Sequence, residues 1–255
     1  MTALRIAVAS AILCVSPGAT RAHYHILLPD KPAVKAGEAV TVTFQFGHPF
    51  EHQLFDTRPP KQLLVLAPDG TRTDLAGKLE KVALDGADGK KVTAYTAAFT
   101  PAKRGDHVVV AVTEPVQVEG EKLPLQDLVK VVVHVQTQNG WDRRAGSLPL
   151  EPLPLTRPYG LRPGIAFRAE FEDAGRPLAG LLVETERYNP TPPKVLPPDE
   201  QITGTARTDR SGAVTATLPD PGWWAVTGVR DADGVRRRGT LWVYVDAHPA
   251  VEPGK

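Results

Sequence analysis

Glu38-Ala39-Val40-Thr41-Val42-Thr43-Phe44-Gln45-Phe46 is the stretch on which the fold turns. Val40, Val42, Phe44 and Phe46 fall on one face and Thr41, Thr43 and Gln45 on the other, the two-residue period of a half-buried β-strand. The same alternation predicts strands at Gln62 to Ala67, Lys91 to Phe99, His107 to Val112 and Leu128 to Val135. Turn chemistry lies between them at Pro68-Asp69-Gly70 and from Asp85-Gly86 through Asp88-Gly89, a spacing that suits a sandwich. No segment holds a 3.6-residue apolar period for the length of an ordinary helix, and no internal repeat is visible. The 25 prolines and 22 glycines among 255 residues favour the same short strands and turns.

Past Val135 the alternation lapses. Pro149, Pro152, Pro154, Pro158 and Pro163 punctuate a stretch that has no place in a central strand and reads as a semi-rigid connector. Strand signals return at Ile165 to Phe171, Leu178 to Arg187, Thr203 to Thr208, Ala213 to Leu218, Trp223 to Val229 and Arg237 to Val245. Asp209-Arg210-Ser211-Gly212 and Asp231-Ala232-Asp233-Gly234 are read as hairpin turns, and Asn189 to Pro198 as a proline-rich edge loop. The expectation is an all-β protein with two β-sandwich domains in tandem after a cleaved signal peptide. Its parts are residues 1–22 as leader, 23–140 as the first sandwich, 141–163 as a linker, 164–247 as the second sandwich and 248–255 as a tail.

The leader is expected from Arg5, an apolar run from Ile6 to Val15, a Pro17-Gly18 break and a small residue at Ala22. That run is too short to span a bilayer, and no later stretch approaches the roughly 20 apolar residues a span requires. The expected location is therefore periplasmic or secreted, with no transmembrane segment in the mature chain. Met1 and Cys14, the one methionine and one cysteine, both fall in the leader, so thiolate and thioether ligands are absent from the expected mature protein. Lys and Arg number 30 against 29 Asp and Glu, a formal net charge of +1, which excludes recognition of nucleic acid or a membrane surface by bulk charge.

Two sets of motifs carry a resemblance. Gly175-Arg176-Pro177-Leu178-Ala179-Gly180, Thr208-Asp209-Arg210-Ser211-Gly212 and Pro219-Asp220-Pro221-Gly222-Trp223 resemble the transthyretin-like fold of carboxypeptidase regulatory-type domains. Ala22-His23, Leu28-Pro29, Lys35-Ala36-Gly37-Glu38 and Phe46-Gly47-His48-Pro49-Phe50-Glu51 are similar to a family of exported bacterial proteins of unknown function. That family is found beside nickel and cobalt uptake transporters, so the resemblance implies metal handling and a membrane metal-uptake transporter as partner.

The residues themselves point the same way. Of seven histidines, His23, His25, His48 and His52 lie within thirty positions of the expected mature N-terminus. Cleavage after Ala22 would give a chain beginning His23-Tyr24-His25. Its free amine and third-position imidazole, with two amide nitrogens, supply a planar nitrogen set suited to Ni(II) or Cu(II). Alternatively, the amine and imidazole of His23 clamp an ion while another imidazole arrives from the loop. In an extended segment His23 and His25 point to one side, about 7 Å apart.

His48 and His52 bracket Pro49-Phe50-Glu51, and one helical turn after His48 would bring their rings to one side. Glu51 is a candidate oxygen ligand or partner of an imidazole, and His107 a candidate extra ligand. The bland alternative is a solvated N-terminal strand and a turn histidine bonded to backbone. His134, sharing a strand face with Lys130 and Gln136, is read as solvent-facing, and His107 as explained by a simple hydrogen bond.

Arg236-Arg237-Arg238 reads as a protected sheet edge, Glu184 and Glu186 as the wet face of a strand, and Trp223-Trp224 as one core and one partly covered ring. There is no Gly-x-Ser-x-Gly elbow, phosphate-cradling loop or His-Glu-x-x-His, and no catalysis is expected. The functional expectation is capture of Ni(II), or Co(II) or Cu(II), through the N-terminal histidines and its delivery to an uptake transporter. The alternative is a non-catalytic structural or interaction module of the cell envelope.

Overall fold

A computed structural model describes residues 23–118, 121–146 and 149–247. The expected leader and the tail with His248 lie outside the described residues. Among those described there is no α-helix, and no helix is long and apolar enough to cross a membrane.

The strands form three sheets. A five-stranded sheet runs β1 (Tyr24–Pro29), β3 (Val40–His48), β8 (Lys91–Phe99) and β7 (Glu80–Asp85), with β4 (Gln53–Phe55) paired to β3. A nine-stranded sheet runs β15 (Thr203–Arg207), β14 (Leu182–Arg187), β17 (Gly222–Ala232), β18 (Val235–Val245), β10 (Leu125–Val135), β9 (His107–Val112), β5 (Gln62–Leu66) and β6 (Arg72–Asp74). β2 (Ala33–Val34) adds to β10. A four-stranded sheet holds β11 (Glu151–Pro154), β12 (Ile165–Asp173), β13 (Arg176–Pro177) and β16 (Ala213–Leu218).

The nine-stranded sheet crosses the middle of the chain. β10 of the first half pairs in parallel with β18 of the second, from Leu125↔Arg236 to Val131↔Trp242. Alternation along these strands sends residues to two different cores. Val129, Val131, Ala225 and Trp242 pack against Leu27, Val42 and Phe44 of the five-stranded sheet. Val226, Leu241 and Val243 face the other way, onto Phe167, Ala169 and Phe171 of the four-stranded sheet.

The described residues of the stretch 141–163 are packed. Ala145 and Tyr159 cover Val108, Val110, Leu128 and Val132 on the second face of β9 and β10. This is why β9 is buried at all six positions, although a single covered face was expected from its alternation. Pro152 and Pro154 lie in β11, which pairs with β12 alone, so no ladder on its free side lacks a donor.

Several local readings change for the same reason, that a second layer covers a surface expected to be wet. Arg236-Arg237-Arg238 is in an interior strand, and Arg238 is buried because β10 closes the edge. Lys130 is buried under the connector, and His134 stacks on Tyr159 at 4.3 Å while its Nδ1 donates to Asp106 at 2.7 Å. Glu186 is 2% exposed. The turn at Asp209–Gly212 leads from β15 to β16, which pair in different sheets, so it joins layers and closes no hairpin. Asp233-Gly234, both at positive φ, do close the β17–β18 hairpin. Trp224 is core and Trp223 partly buried.

Candidate functional site

The five-stranded sheet delivers the N-terminal histidines. β1 pairs antiparallel with β3, Tyr24↔Gly47 and His25↔Phe46. One step further along that register stands His23 beside His48, with ring centroids 4.2 Å apart. His48 is 3% exposed. Phe55 contacts both, at 5.2 Å from His23 and 5.7 Å from His48, and Phe46 stacks on His23 at 5.6 Å. Two imidazoles are thus held in an aromatic wall where the strand begins.

His25 shares the side of His23 but is committed inward. Its Nδ1 donates to Asp127 Oδ2 at 2.5 Å, its Nε2 lies 3.2 Å from Thr57 Oγ1, and its ring packs on Phe44 and Phe46 at 5.0 and 4.7 Å. Asp127 is fully buried and accepts both Nε (2.7 Å) and Nη2 (2.6 Å) of Arg238, its cross-strand partner. Burial alone would raise the Asp127 carboxyl, but Arg238 and His25 outweigh it and hold the group well below the usual carboxylate range. Arg238 Nη1 also donates to the His23 carbonyl, and its guanidinium lies 5.1 Å from the Tyr24 ring centroid. One buried arginine therefore holds the His23 carbonyl and the Tyr24 ring directly and His25 through Asp127.

His52 diverges. The chain does not take the helical turn expected after His48; it reverses directly into β4, with His48↔Gln53 in register. His52 adopts φ 52°, its Nδ1 donates to the Asn189 carbonyl at 2.9 Å, and its ring meets Tyr188 at 5.8 Å. The same turn is tied to the second half of the chain by Phe50 N–H on Glu186 (3.1 Å) and by Asn189 Nδ2 on the Phe50 carbonyl (2.6 Å). Burial raises Glu186 to about 8 against the hydrogen bonds it accepts from the Phe50 N–H and, at 2.9 Å, from the Thr203 hydroxyl.

Glu51 is buried in this turn. His107 opens β9, where Nδ1 donates to the Gly105 carbonyl at 3.0 Å and burial lowers its pKa. Among the described residues, no group of three or more His, Cys, Asp or Glu side chains is disposed to hold a metal ion. Of the six residues singled out in the sequence, the structure brings His23 and His48 together and sets His25 beside them.

Asp127 and Thr57 carry no sequence signal for this site, and Arg238 is read in the sequence only as part of a protected sheet edge. Asp127 is separated from His25 by 102 positions, and only its charge beside a valine-rich strand face points to a buried partner. His25 and Thr57 also border a cleft of about 450 Å³ whose apolar wall includes Phe46, Pro115, Val116 and Leu125.

Fold and site together define an all-β protein of sandwich-like sheets with a paired histidine at the start of its first strand. Residues 20–230 match DUF4198, a domain of unknown function, and the chain belongs to that family. No match is found among curated proteins. Among solved structures, it is similar to the D0-D1 domain of intimin, at 15% identity over 88% of this chain and 100% of that one, with a TM-score of 0.22. A two-domain fibronectin type III segment of chicken tenascin matches at 8% identity over 88% of this chain and 100% of that one, with a TM-score of 0.24. Escherichia coli alpha-2-macroglobulin matches at 11% identity over 87% of this chain and 23% of that one, with a TM-score of 0.28.

Proposed function

We propose that this is an exported metal-binding protein that captures Ni(II), or Co(II) or Cu(II), at its mature N-terminus and delivers it to a membrane uptake transporter. The observation that carries the reading is the 4.2 Å approach of the His23 and His48 rings. Removal of residues 1–22 would add the α-amine of His23, a third nitrogen that belongs to no side chain. Amine and imidazole of one residue, with an imidazole from the facing strand, make a nitrogen set favoured by late first-row divalent ions. His25 serves this reading as a third imidazole, its Nδ1 held by Asp127 in the way a carboxylate orients a metal-bound histidine. The reading also takes the first sandwich as Ig-like and the second as transthyretin-like, on the motifs of the sequence.

The test is calorimetric titration of Ni(II) into protein beginning at His23. One-to-one binding is expected. His48→Ala and an added Met-Gly ahead of His23 should each weaken it by more than about tenfold, the minimum expected from loss of a group nearer the ion than an outer-shell partner. His52→Ala should leave it unchanged. Equal binding by all four forms would overturn the N-terminal site. Absence of binding by any of them would favour the second reading, a non-catalytic interaction module. That reading rests on the Pro-rich loop before β15, where Val195 is 82% and Leu196 46% exposed.

A further inference from the structure

Lys130 lies on the face of β10 opposite the five-stranded layer, where the connector crosses the central sheet. Its side chain is 1% exposed, and Nζ is 2.7 Å from Oε1 of Glu151, which is 5% exposed. Nζ also donates to the Arg143 carbonyl at 3.2 Å. The Glu151 carboxylate accepts the Ala145 N–H at 2.6 Å and, on its other oxygen, the Gly146 N–H at 3.4 Å. Glu172, the nearby alternative carboxylate, is taken by a two-point contact with Arg144 at 2.9 and 2.7 Å. The pair is thus a single amine against a single carboxyl group, in contact, out of water, with backbone donors on the carboxyl oxygens.

We propose that Lys130 and Glu151 condense to an intramolecular amide that cross-links β10 to β11. A proton passes from Nζ to the carboxylate, leaving a neutral amine and a carboxylic acid. The Nζ lone pair attacks Cδ, and the oxyanion formed on Oε2 faces the Gly146 N–H, while the Ala145 N–H holds the hydroxyl oxygen Oε1. The C–OH bond then breaks, the hydroxyl takes a second proton from the nitrogen, and one water leaves; no oxidant or cofactor enters the balance.

Three features favour the step. Burial lowers the Lys130 pKa against the pull of Glu151, which brings the neutral amine within reach. Holding the partners in contact replaces a bimolecular encounter, an advantage equivalent to effective concentrations on the order of 10⁵ M or more. The amide is neutral, so it removes two charges whose desolvation a buried ion pair must otherwise offset. The expected mature chain has no cysteine, and such a bond would supply a covalent tie where no disulfide can form.

Intact-mass spectrometry of the purified protein under denaturing conditions tests this, with the N-terminal peptide sequenced to establish the start of the chain. The expected mass is lower than the sequence mass by one water. A branched peptide containing Lys130 and Glu151 should appear after trypsin, with no cleavage after Lys130. Lys130→Arg and Glu151→Ala should each show the full sequence mass. A wild-type mass equal to the sequence mass, with the two peptides recovered separately, would overturn the proposal whether or not either variant folds.

Discussion

Arg238 and Asp127 show how much a single buried pair can organise. The arginine is bound to the carboxylate twice, to the His23 carbonyl once, and lies over Tyr24, while the same carboxylate holds His25. Asp127→Asn would leave a buried guanidinium facing a neutral amide, and a loss of about 3–5 kcal/mol is expected in urea unfolding. Asp127 stays ionised to unusually low pH in the folded state, so its contribution is present above its unfolded pKa and lost as pH falls. Glu186 behaves oppositely. Its folded value of about 8 exceeds the ordinary 4.5, so between those limits the folded state keeps a proton the unfolded chain has released. Its contribution to stability should therefore fall as pH rises across that window, and Glu186→Gln should flatten the fall in a series of thermal melts at different pH values.

At the scale of elements, the contact between the central and four-stranded sheets depends on a glycine pair. Gly228 and Gly239 face each other across β17 and β18. A Cβ at Gly239 would come 2.2 Å from the Leu150 carbonyl oxygen, which is backbone; one at Gly228 would meet the side chains of Phe171 and Leu181 at 2.6 to 2.7 Å. Gly239→Ala should cost more than Gly228→Ala, because side chains can shift and the Leu150 backbone is held by β11 beside it. Overpacking of this kind ordinarily costs about 1–3 kcal/mol, and the order of the two denaturation midpoints checks the argument. The strands at Lys91–Phe99, His107–Val112 and Ala213–Leu218 were legible to the residue, because alternation and turn residues agree there. β11 was not, because Glu151-Pro152-Leu153-Pro154 is buried at all four positions with no alternation to mark a strand, and its prolines signal a connector.

For the whole molecule, the parallel β10–β18 pairing and the apolar cluster joining Leu27 and Phe44 to Ala225 and Trp242 tie the two halves of the chain together through a shared sheet and a shared core. Unfolding is accordingly expected to be a single cooperative transition. The tryptophans at 141, 223, 224 and 242 lie in the second half of the chain and report on its layers and on the cores it shares with the first half, whereas far-ultraviolet circular dichroism reports on all strands. Coincident urea curves from the two probes are the expected result, and separated midpoints would show halves that unfold independently. A chain ending at residue 140 should be poorly folded, since it would expose the β10 edge and leave Asp127 without Arg238.

The sequence by itself determined the all-β class, most strand positions and the cluster of histidines near His23, because each is written in short-range patterns of period two or in composition. It also brought His23, His25 and His48 into consideration together. Only the tertiary structure decided that His23 meets His48, that His25 turns to Asp127, that His52 leaves for Asn189 and that Lys130 is buried against Glu151. Those outcomes depend on pairings across 21 to 137 positions. Alternation says which residues share a strand face, and it carries no information about which distant layer will cover that face.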